Sequence, residues 1–409
     1  MKRVVVTGLG ILSPIGNSID EFWKNAVEGK NGISHNDRID TTEFQAKLAG
    51  LVKNFNPLDY IDKKHIRKMD RFVQMGIATV EQALRDSLIN LSDLDRYRIG
   101  VFAGSGIGGI ETFEEQLRVM IEKGKDKVSA YFVPKMIANI LSGWIGIIYD
   151  IRGPNLTYVS ACSSSLHALG EAYLAIKGGI VDVAIVCGSE APIVPSAIAG
   201  FENMGALSKN NDPSTASRPF DLNRDGFVIA EGAGTMILES LEYATKRNSK
   251  IYAEIVGYSH TCDAYHITAP DPEAKSIIHA ILKAIQNIDP EEVDYINAHG
   301  TSTPYNDKTE TFAIKKALGN RAYKVNISSI KSMIGHTLGA AGIIESIATV
   351  LSIKNQTIPP TINYSTPDPE CDLNYTPNKA VKREINVAIK NSFGFGGHNV
   401  VVAFKKFDL

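Results

Sequence analysis

Short, continuously apolar runs recur along the chain at Val4–Thr7, Ile99–Ala103, Leu156–Ser160, Val183–Cys187, Val293–Asn297, Val325–Ser329, Val387–Asn391 and Val400–Phe404. Rich in Val and Ile and without polar alternation, they predict strands covered on both faces. Helical patterns lie between them, which makes the class α/β. The run at Leu156 leads through small residues into a predicted helix with Leu166, Leu169, Tyr173 and Ile176 on one face, closed by Gly178-Gly179. The run at Val325 leads likewise into a helix carrying Leu338, Ile343, Ile347 and Val350. Leu166-His167-Ala168-Leu169-Gly170 echoes Leu338-Gly339-Ala340-Ala341-Gly342, as a duplicated fold with its seam near residue 250 would produce. The expected units are residues 1–250 and 251–409.

Composition narrows this only modestly. With 409 residues, 44% apolar and 22% charged, the chain is that of a folded globular protein, neither disordered nor collagen-like. A formal charge of −2 argues against a general nucleic-acid or membrane-surface binder. The most apolar stretch, Ile137 to Tyr149, is interrupted by Asn139, Ser142, Gly143 and Gly146, too short and polar to span a bilayer. Cys162, Cys187, Cys262 and Cys371 form no CxxC pair and favour a reducing compartment. The expected location is the cytoplasm, or a plastid-type organelle after loss of a transit peptide.

Three junction motifs carry candidate chemistry. Cys162 stands in Val159-Ser160-Ala161-Cys162-Ser163-Ser164-Ser165, between a strand end and a helix start. There, free backbone N–H groups and the helix dipole favour the nucleophilic thiolate. Most cysteines are simply buried small hydrophobes, a reading that suits Cys187 in its apolar strand. His299 follows a strand in Asn297-Ala298-His299-Gly300-Thr301-Ser302-Thr303-Pro304, and points to the crevice where open α/β sheets place their sites. His336, in Lys331-Ser332-Met333-Ile334-Gly335-His336-Thr337, holds a strand-to-helix junction equivalent to that of Cys162. The spacing matches no zinc motif, so no metal is expected there. Asn391-Ser392-Phe393-Gly394-Phe395-Gly396-Gly397-His398-Asn399 reads as a hairpin with positive φ angles, or as a loop whose amides approach a substrate oxygen. Gly104-Ser105-Gly106-Ile107-Gly108-Gly109 fits G-x-G-x-x-G after a strand, which makes a nicotinamide-dependent oxidoreductase the rival. Its ribose-binding acid is missing, because Glu122 and Asp126 fall in or just after a polar helical stretch. Lys64, Arg67, Lys68 and Arg71, at helical spacing, predict one basic face suited to an acidic partner.

Together the junction Cys, the two His motifs and the Gly-Phe-Gly-Gly loop resemble the β-ketoacyl-[acyl-carrier-protein] synthases of the thiolase superfamily, the elongating members above all. The resemblance runs from Val4-Val5-Val6-Thr7-Gly8-Leu9-Gly10 through Ala216-Ser217-Arg218-Pro219-Phe220-Asp221, Arg224-Asp225-Gly226-Phe227 and Asp263-Ala264-Tyr265-His266 to Gly394-Phe395-Gly396-Gly397. It implies a five-layer α/β/α/β/α fold of two duplicated halves, an obligate homodimer, and decarboxylative condensation of malonyl carrier protein with an acyl-Cys162 thioester.

In that scheme His299 and His336 stabilise the enolate, Lys331 tunes them with Glu345 in support, and the amides of Cys162 and Phe395 form the oxyanion hole. Phe393 matches the gate beside the nucleophile, and Thr301 and Thr303 match contacts to the phosphopantetheine arm. Ile107, Phe201 and Phe132 match the acyl pocket, Phe132 reaching in from the partner subunit. Lys64, Arg67 and Lys68 match a docking patch for the acidic acyl carrier protein. No cofactor is implied beyond the carrier's own arm, although a structural monovalent cation near Asn297 and Glu345 is allowed. Departures are Ile334, where a Thr commonly stands and either a drier pocket or an altered local helix turn is expected, Gly205 in place of a basic carrier contact, and a short segment after Pro270.

A thiolase would carry a second cysteine in Phe393–His398, and none is there. An initiating synthase would carry Asn where His336 stands, and a non-catalytic chain-length partner would lack Cys162. A polyketide-type ketosynthase on the same fold and a non-enzymatic partner protein are the remaining alternatives.

Overall fold

The computed structural model describes residues 1–408. Ten strands make one continuous sheet: β1 (Val4–Leu12), β2 (Ile99–Gly104), β3 (Asn155–Tyr158), β4 (Val183–Glu190), β5 (Gly232–Ser240), β6 (Ala253–Cys262), β7 (Val293–Asn297), β8 (Asn326–Ser328), β9 (Val387–Gly394) and β10 (His398–Lys405). Their spatial order is β3-β2-β4-β5-β1 followed by β6-β10-β9-β7-β8. Counted within each set of five, this is the same order read outward from the junction. The parallel and antiparallel pairings repeat as well. The sets join where Val4–Val6 of β1 pairs antiparallel with Ile255–Ala253 of β6.

Helices complete five layers. Helix α1 (Arg71–Ser87) packs outside the first five strands, and its core holds Phe72, Val73, Val80, Val101, Ile185 and Ile237. Between the two sets lie α2 (Ser164–Lys177) and α5 (Ala341–Asn355), burying Leu166, Leu169, Tyr173, Ile343 and Ile347. Helices α3 (Lys275–Ala284) and α4 (Pro304–Leu318) cover the far side. Helix α5 is buried on every face, as an apolar helix between two layers of strands must be. It crosses α2 so closely that a Cβ on Gly342 would lie 2.6 Å from the Leu166 backbone nitrogen. No helix of the described residues is long and apolar enough to cross a membrane.

Several expectations need correction. Strands β5 and β6 carry no continuous apolar run, because Gly232, Gly234, Glu239, Glu254 and Gly257 break the pattern. The acids are tolerated because Arg247 pairs with Glu239 and Arg3 with Glu254. Strand β3 is a sheet edge, with Leu156 52% and Val159 59% exposed, and is not covered on both faces. Leu338 precedes α5, in a 3₁₀ turn at Leu338–Ala340, with φ of 46°. Ala161, which opens the 3₁₀ turn Ala161–Ser163 before α2, has φ of 50°. Leu166 therefore corresponds to Ile343, and the echo of Leu166–Gly170 in Leu338–Gly342 is out of register. The basic run is not one helical face either. A helix at Lys63–Ile66 ends at Arg67, and Asp70 caps a new one that starts at Arg71.

Arg71 is in fact committed to the interior. Glu231, fully buried, takes Arg71 through Nε at 2.8 Å and Nη2 at 2.9 Å, and Arg38 through Nη2 at 2.6 Å. It also accepts the Val52 amide at 3.0 Å. Replacing Glu231 with Ala leaves two guanidinium groups unpaired. We expect a loss of roughly 3–5 kcal/mol, read as a lower urea midpoint. An unchanged midpoint would show that this triad does not hold the fold.

Candidate active site

Strand β3 ends at Tyr158, and the chain turns sharply into α2. Ser164 Oγ ties the turn, accepting from the Ser160 amide at 2.9 Å and donating to the Ala161 carbonyl at 2.7 Å. The left-handed conformation at Ala161 then presents Cys162, which is 7% exposed, at the mouth of the helix. In the second half, Gly335, with φ of 74°, ends the short helix Lys331–Ile334. His336 is then clamped by its backbone, donating to the Val228 carbonyl at 2.8 Å and accepting from the Ala230 amide at 3.0 Å.

These clamps bring His336 Nε2 to 3.1 Å from Cys162 Sγ. The Leu338 amide donates to His336 Nδ1 at 3.3 Å, which puts the ring proton on Nε2, facing the sulfur. His299 stands edge-on to His336, with ring centroids 5.5 Å apart. Glu310 holds its peptide, accepting from the His299 and Gly300 amides at 2.8 Å each. Ligating atoms of Cys162, His299 and His336 fall within 4.8 Å of one another, near enough to share a metal ion. With its proton on Nε2, however, His336 aims a donor at that point and not a lone pair.

Charge behind the histidines sets their state. Lys331 Nζ donates to the His299 carbonyl at 2.6 Å and pairs with Glu345, all buried. Burial pulls both imidazoles well below the usual range, and the ammonium groups of Lys331 and Lys390 pull the same way. Both rings are therefore neutral donors at physiological pH. Burial also pushes the Cys162 thiol up to about 12, against the opposing pull of Lys331. The junction thus does not deliver the resting thiolate that its helix N-terminus predicts, because the enclosed site withholds water from the anion.

A cavity of about 390 Å³ opens onto the cysteine. Ile107, Phe201, Phe227, Leu338 and Phe393 give it an apolar wall, while Thr301 and Thr303, 2.9 Å apart through their hydroxyls, lie on a polar flank. Phe395 lines it too, in the three-residue turn between β9 and β10. A Cβ on Gly394 would lie 2.6 Å from the Ser160 carbonyl oxygen and 3.3 Å from the Cys162 nitrogen, so the glycine lets this turn approach the cysteine amide. Phe132 is not in this chain's cavity but packs on Phe113, centroids 6.2 Å apart. Ile334 is buried in the central core and not on the pocket wall, so it leaves the cavity's polarity unchanged. Lys64 and Arg67 are exposed on the surface and Lys68 is half-buried over the Tyr131 ring.

Sequence reasoning missed four participants. Phe227 stands edge-on to both His336 and Phe201, at 5.1 and 5.5 Å. Glu310 and Lys390 carried no motif. Glu190, fully buried at the end of β4, accepts from the amides of Gly106 at 2.6 Å, Ile107 at 3.0 Å and Gly339 at 2.9 Å. It fixes the glycine-rich stretch as cavity wall, so that stretch cradles this carboxylate and no dinucleotide.

Comparison with known proteins agrees with this geometry. The family model "Beta-ketoacyl synthase, N-terminal domain" matches residues 1–244, and "Beta-ketoacyl synthase, C-terminal domain" matches 252–365. The 3-oxoacyl-[acyl-carrier-protein] synthase 2 of Staphylococcus aureus (strain N315) is 50% identical over 409 residues, covering 100% of this chain and 99% of the relative. Its namesake from Synechocystis sp. is 48% identical, covering 99% and 98%. Among solved structures, a beta-ketoacyl synthase from Burkholderia phymatum superposes with a TM-score of 0.93 at 33% identity, over all of both chains. A type II PKS acyl-carrier protein in complex with its ketosynthase, bound to the hexaketide, gives 0.92 at 36% identity, again over all of both chains.

A thiol with so high a pKa should alkylate slowly at neutral pH. Its rate with iodoacetamide should climb about tenfold per pH unit from pH 6 to 9, since only the thiolate reacts. A plateau near pH 7, followed by the Cys162 peptide in mass spectrometry, would mean that the helix N-terminus overcomes burial.

Proposed function

Because the chain belongs to the β-ketoacyl synthase family, we propose that it is the condensing acyltransferase of fatty-acid elongation. It joins malonyl units to an acyl chain carried on Cys162 and gives the β-ketoacyl carrier protein. The observation that carries this reading is the Cys162–His336 contact at 3.1 Å, with His299 beside it, at the foot of an apolar-walled cavity.

The first step exchanges one thiol for another. The Cys162 sulfur takes the acyl group from the carrier's thioester, and the carrier leaves with the proton as a free thiol. In the second, malonyl carrier protein loses CO2, and the enolate oxygen gathers negative charge as the C–C bond breaks. His336 offers Nε2–H in this place and His299 lies beside it, both as neutral donors. Removing one such donor typically lowers rate by about a hundredfold. The enolate carbon then attacks the acyl-Cys162 carbon, and the thioester oxygen meets the amides of Cys162 and Phe395. The closeness of Gly394 to the Cys162 amide supports that pairing. Collapse of the intermediate breaks the C–S bond, releasing the Cys162 sulfur, which takes up a proton to return to the thiol. Ile107, Phe201 and Phe393 line the acyl chain, and Thr301 and Thr303 the phosphopantetheine arm.

The partners follow from the surface. Leu156 on edge strand β3 and Val159 just after it, with exposed Tyr131 and Val133 flanking Phe132 in sequence, suit burial against a second copy. That would carry Phe132 to the partner's cavity. Lys64, Arg67 and Lys68 suit an acidic acyl carrier protein. Four free cysteines and bacterial relatives favour the cytoplasm. Relatives near 50% identity bear the name 3-oxoacyl-[acyl-carrier-protein] synthase 2, against 33–36% for the type II PKS ketosynthase and the ketosynthase/chain length factor, so the polyketide reading ranks second.

Intact mass spectrometry after incubation with long-chain acyl carrier protein, then malonyl carrier protein, tests the chemistry. An acyl-sized gain should appear, then disappear as β-ketoacyl product forms. Cys162→Ala should show no gain, and full loading elsewhere would overturn the assignment. His336→Ala should load but not condense; normal condensation would remove its role. Replacing Lys64, Arg67 and Lys68 with Ala should weaken carrier binding most at low salt. Binding that is unchanged and insensitive to salt would return these residues to plain surface.

A further inference from the structure

Strand β9 carries a charge in the middle of the sheet. Lys390 lies opposite Asn297 of β7 and Val402 of β10, and none of it reaches solvent. Its Nζ is 2.8 Å from Glu345 Oε2 and 3.2 Å from the Ala298 carbonyl oxygen, and it donates to the Asn391 carbonyl as well. Glu345 is thus held between two ammonium groups, Lys331 on one oxygen and Lys390 on the other. Asn297 belongs to the same knot through its Nδ2, which donates to the Glu345 carbonyl at 3.1 Å.

One carboxylate and two backbone carbonyls converging on a point are the donor set of a hard cation. An ammonium has three protons; here the Ala298 and Asn391 carbonyls receive two, and Glu345 Oε2 pairs with its charge at 2.8 Å. The same oxygens cannot also ligate a metal ion, so the monovalent cation that the family resemblance allows near Asn297 and Glu345 does not fit beside this lysine. We propose that Lys390 is a tethered cation, which takes the place of a monovalent metal behind His299 and makes the site independent of potassium and sodium.

Its position gives it a positioning role. The peptide from Ala298 to Gly300 is held by three charged side chains: Lys390 on the Ala298 carbonyl, Lys331 on the His299 carbonyl, and Glu310 on the His299 and Gly300 amides. The charged and titratable groups around Lys390 are Glu345 from α5, Glu310 from α4, Lys331, and the two histidines. Burial lowers the ammonium to about 8 while Glu345 supports it, so it is mostly charged at neutral pH.

The test compares potassium chloride, sodium chloride and tetramethylammonium chloride at equal ionic strength, reading thermal midpoint and condensation rate. The intact protein should give the same values in all three salts. Lys390→Ser, which empties the position and keeps its oxygens, should lose several degrees and roughly tenfold or more in rate in tetramethylammonium. Potassium or sodium should restore both saturably. Lys390→Met, which fills the space without charge, should be impaired and not restored. A saturable rise of the intact protein's midpoint with potassium would overturn the proposal, and so would a Lys390→Ser variant unimpaired without metal. If that variant does not fold, the intact protein's own salt response decides. The activity arm rests on the proposed condensation, whereas the thermal arm does not, so a protein that fails to condense still answers the question about Lys390.

Discussion

The structure depends on how closely two buried helices can cross. Helices α2 and α5 each follow a tight turn, and each aims its N-terminus at the same point between the two sets of strands. Gly342 removes the one side chain that would hold them apart. With a larger residue there, the Leu166 backbone would have to move, and the turns carrying Cys162 and His336 would separate with it. The 3.1 Å contact between sulfur and imidazole therefore rests on helix packing as well as on the backbone clamps that hold His336.

Enclosure has a second effect, which is electrostatic. Excluding water favours neutral forms of thiol and imidazole, so the resting site holds donors without net charge. The charges sit one layer further back, on Lys331, Glu345 and Lys390, which pair with one another, and on Glu310, which three N–H groups satisfy. This arrangement lets the site meet a developing anion with fixed dipoles and a positive background, without burying an unpaired ion beside the substrate.

Much of this was legible in the sequence. Continuous Val and Ile runs marked most strands of the sheet, because strands between helical layers need apolar side chains on both faces. Where a strand carried paired acids and close-packing glycines, as β5 and β6 do, the signal vanished, since Arg247 and Arg3 lie outside the run. Cys162, His299 and His336 were visible as junction residues flanked by small ones. Glu310 and Lys390 were not, because nothing local in α4 or β9 tells that a charge will find its partner across the core. The thiolate expectation failed for a related reason: a helix N-terminus can be read from sequence, but the depth of its burial cannot.

The two halves end their fourth strands on different residues, Glu190 on β4 and Gly394 on β9. Each sits beside the amide that follows a left-handed turn residue, Gly339 after Leu338 and Cys162 after Ala161. In the first half the protein supplies its own anion, the Glu190 carboxylate, to that amide and to those of Gly106 and Ile107. In the second the glycine brings no carboxylate, and Cys162 lines the cavity. The repeated strand order thus ends differently in the two halves: one junction is filled by a carboxylate, whereas the other, closed by a glycine, stands beside the cavity.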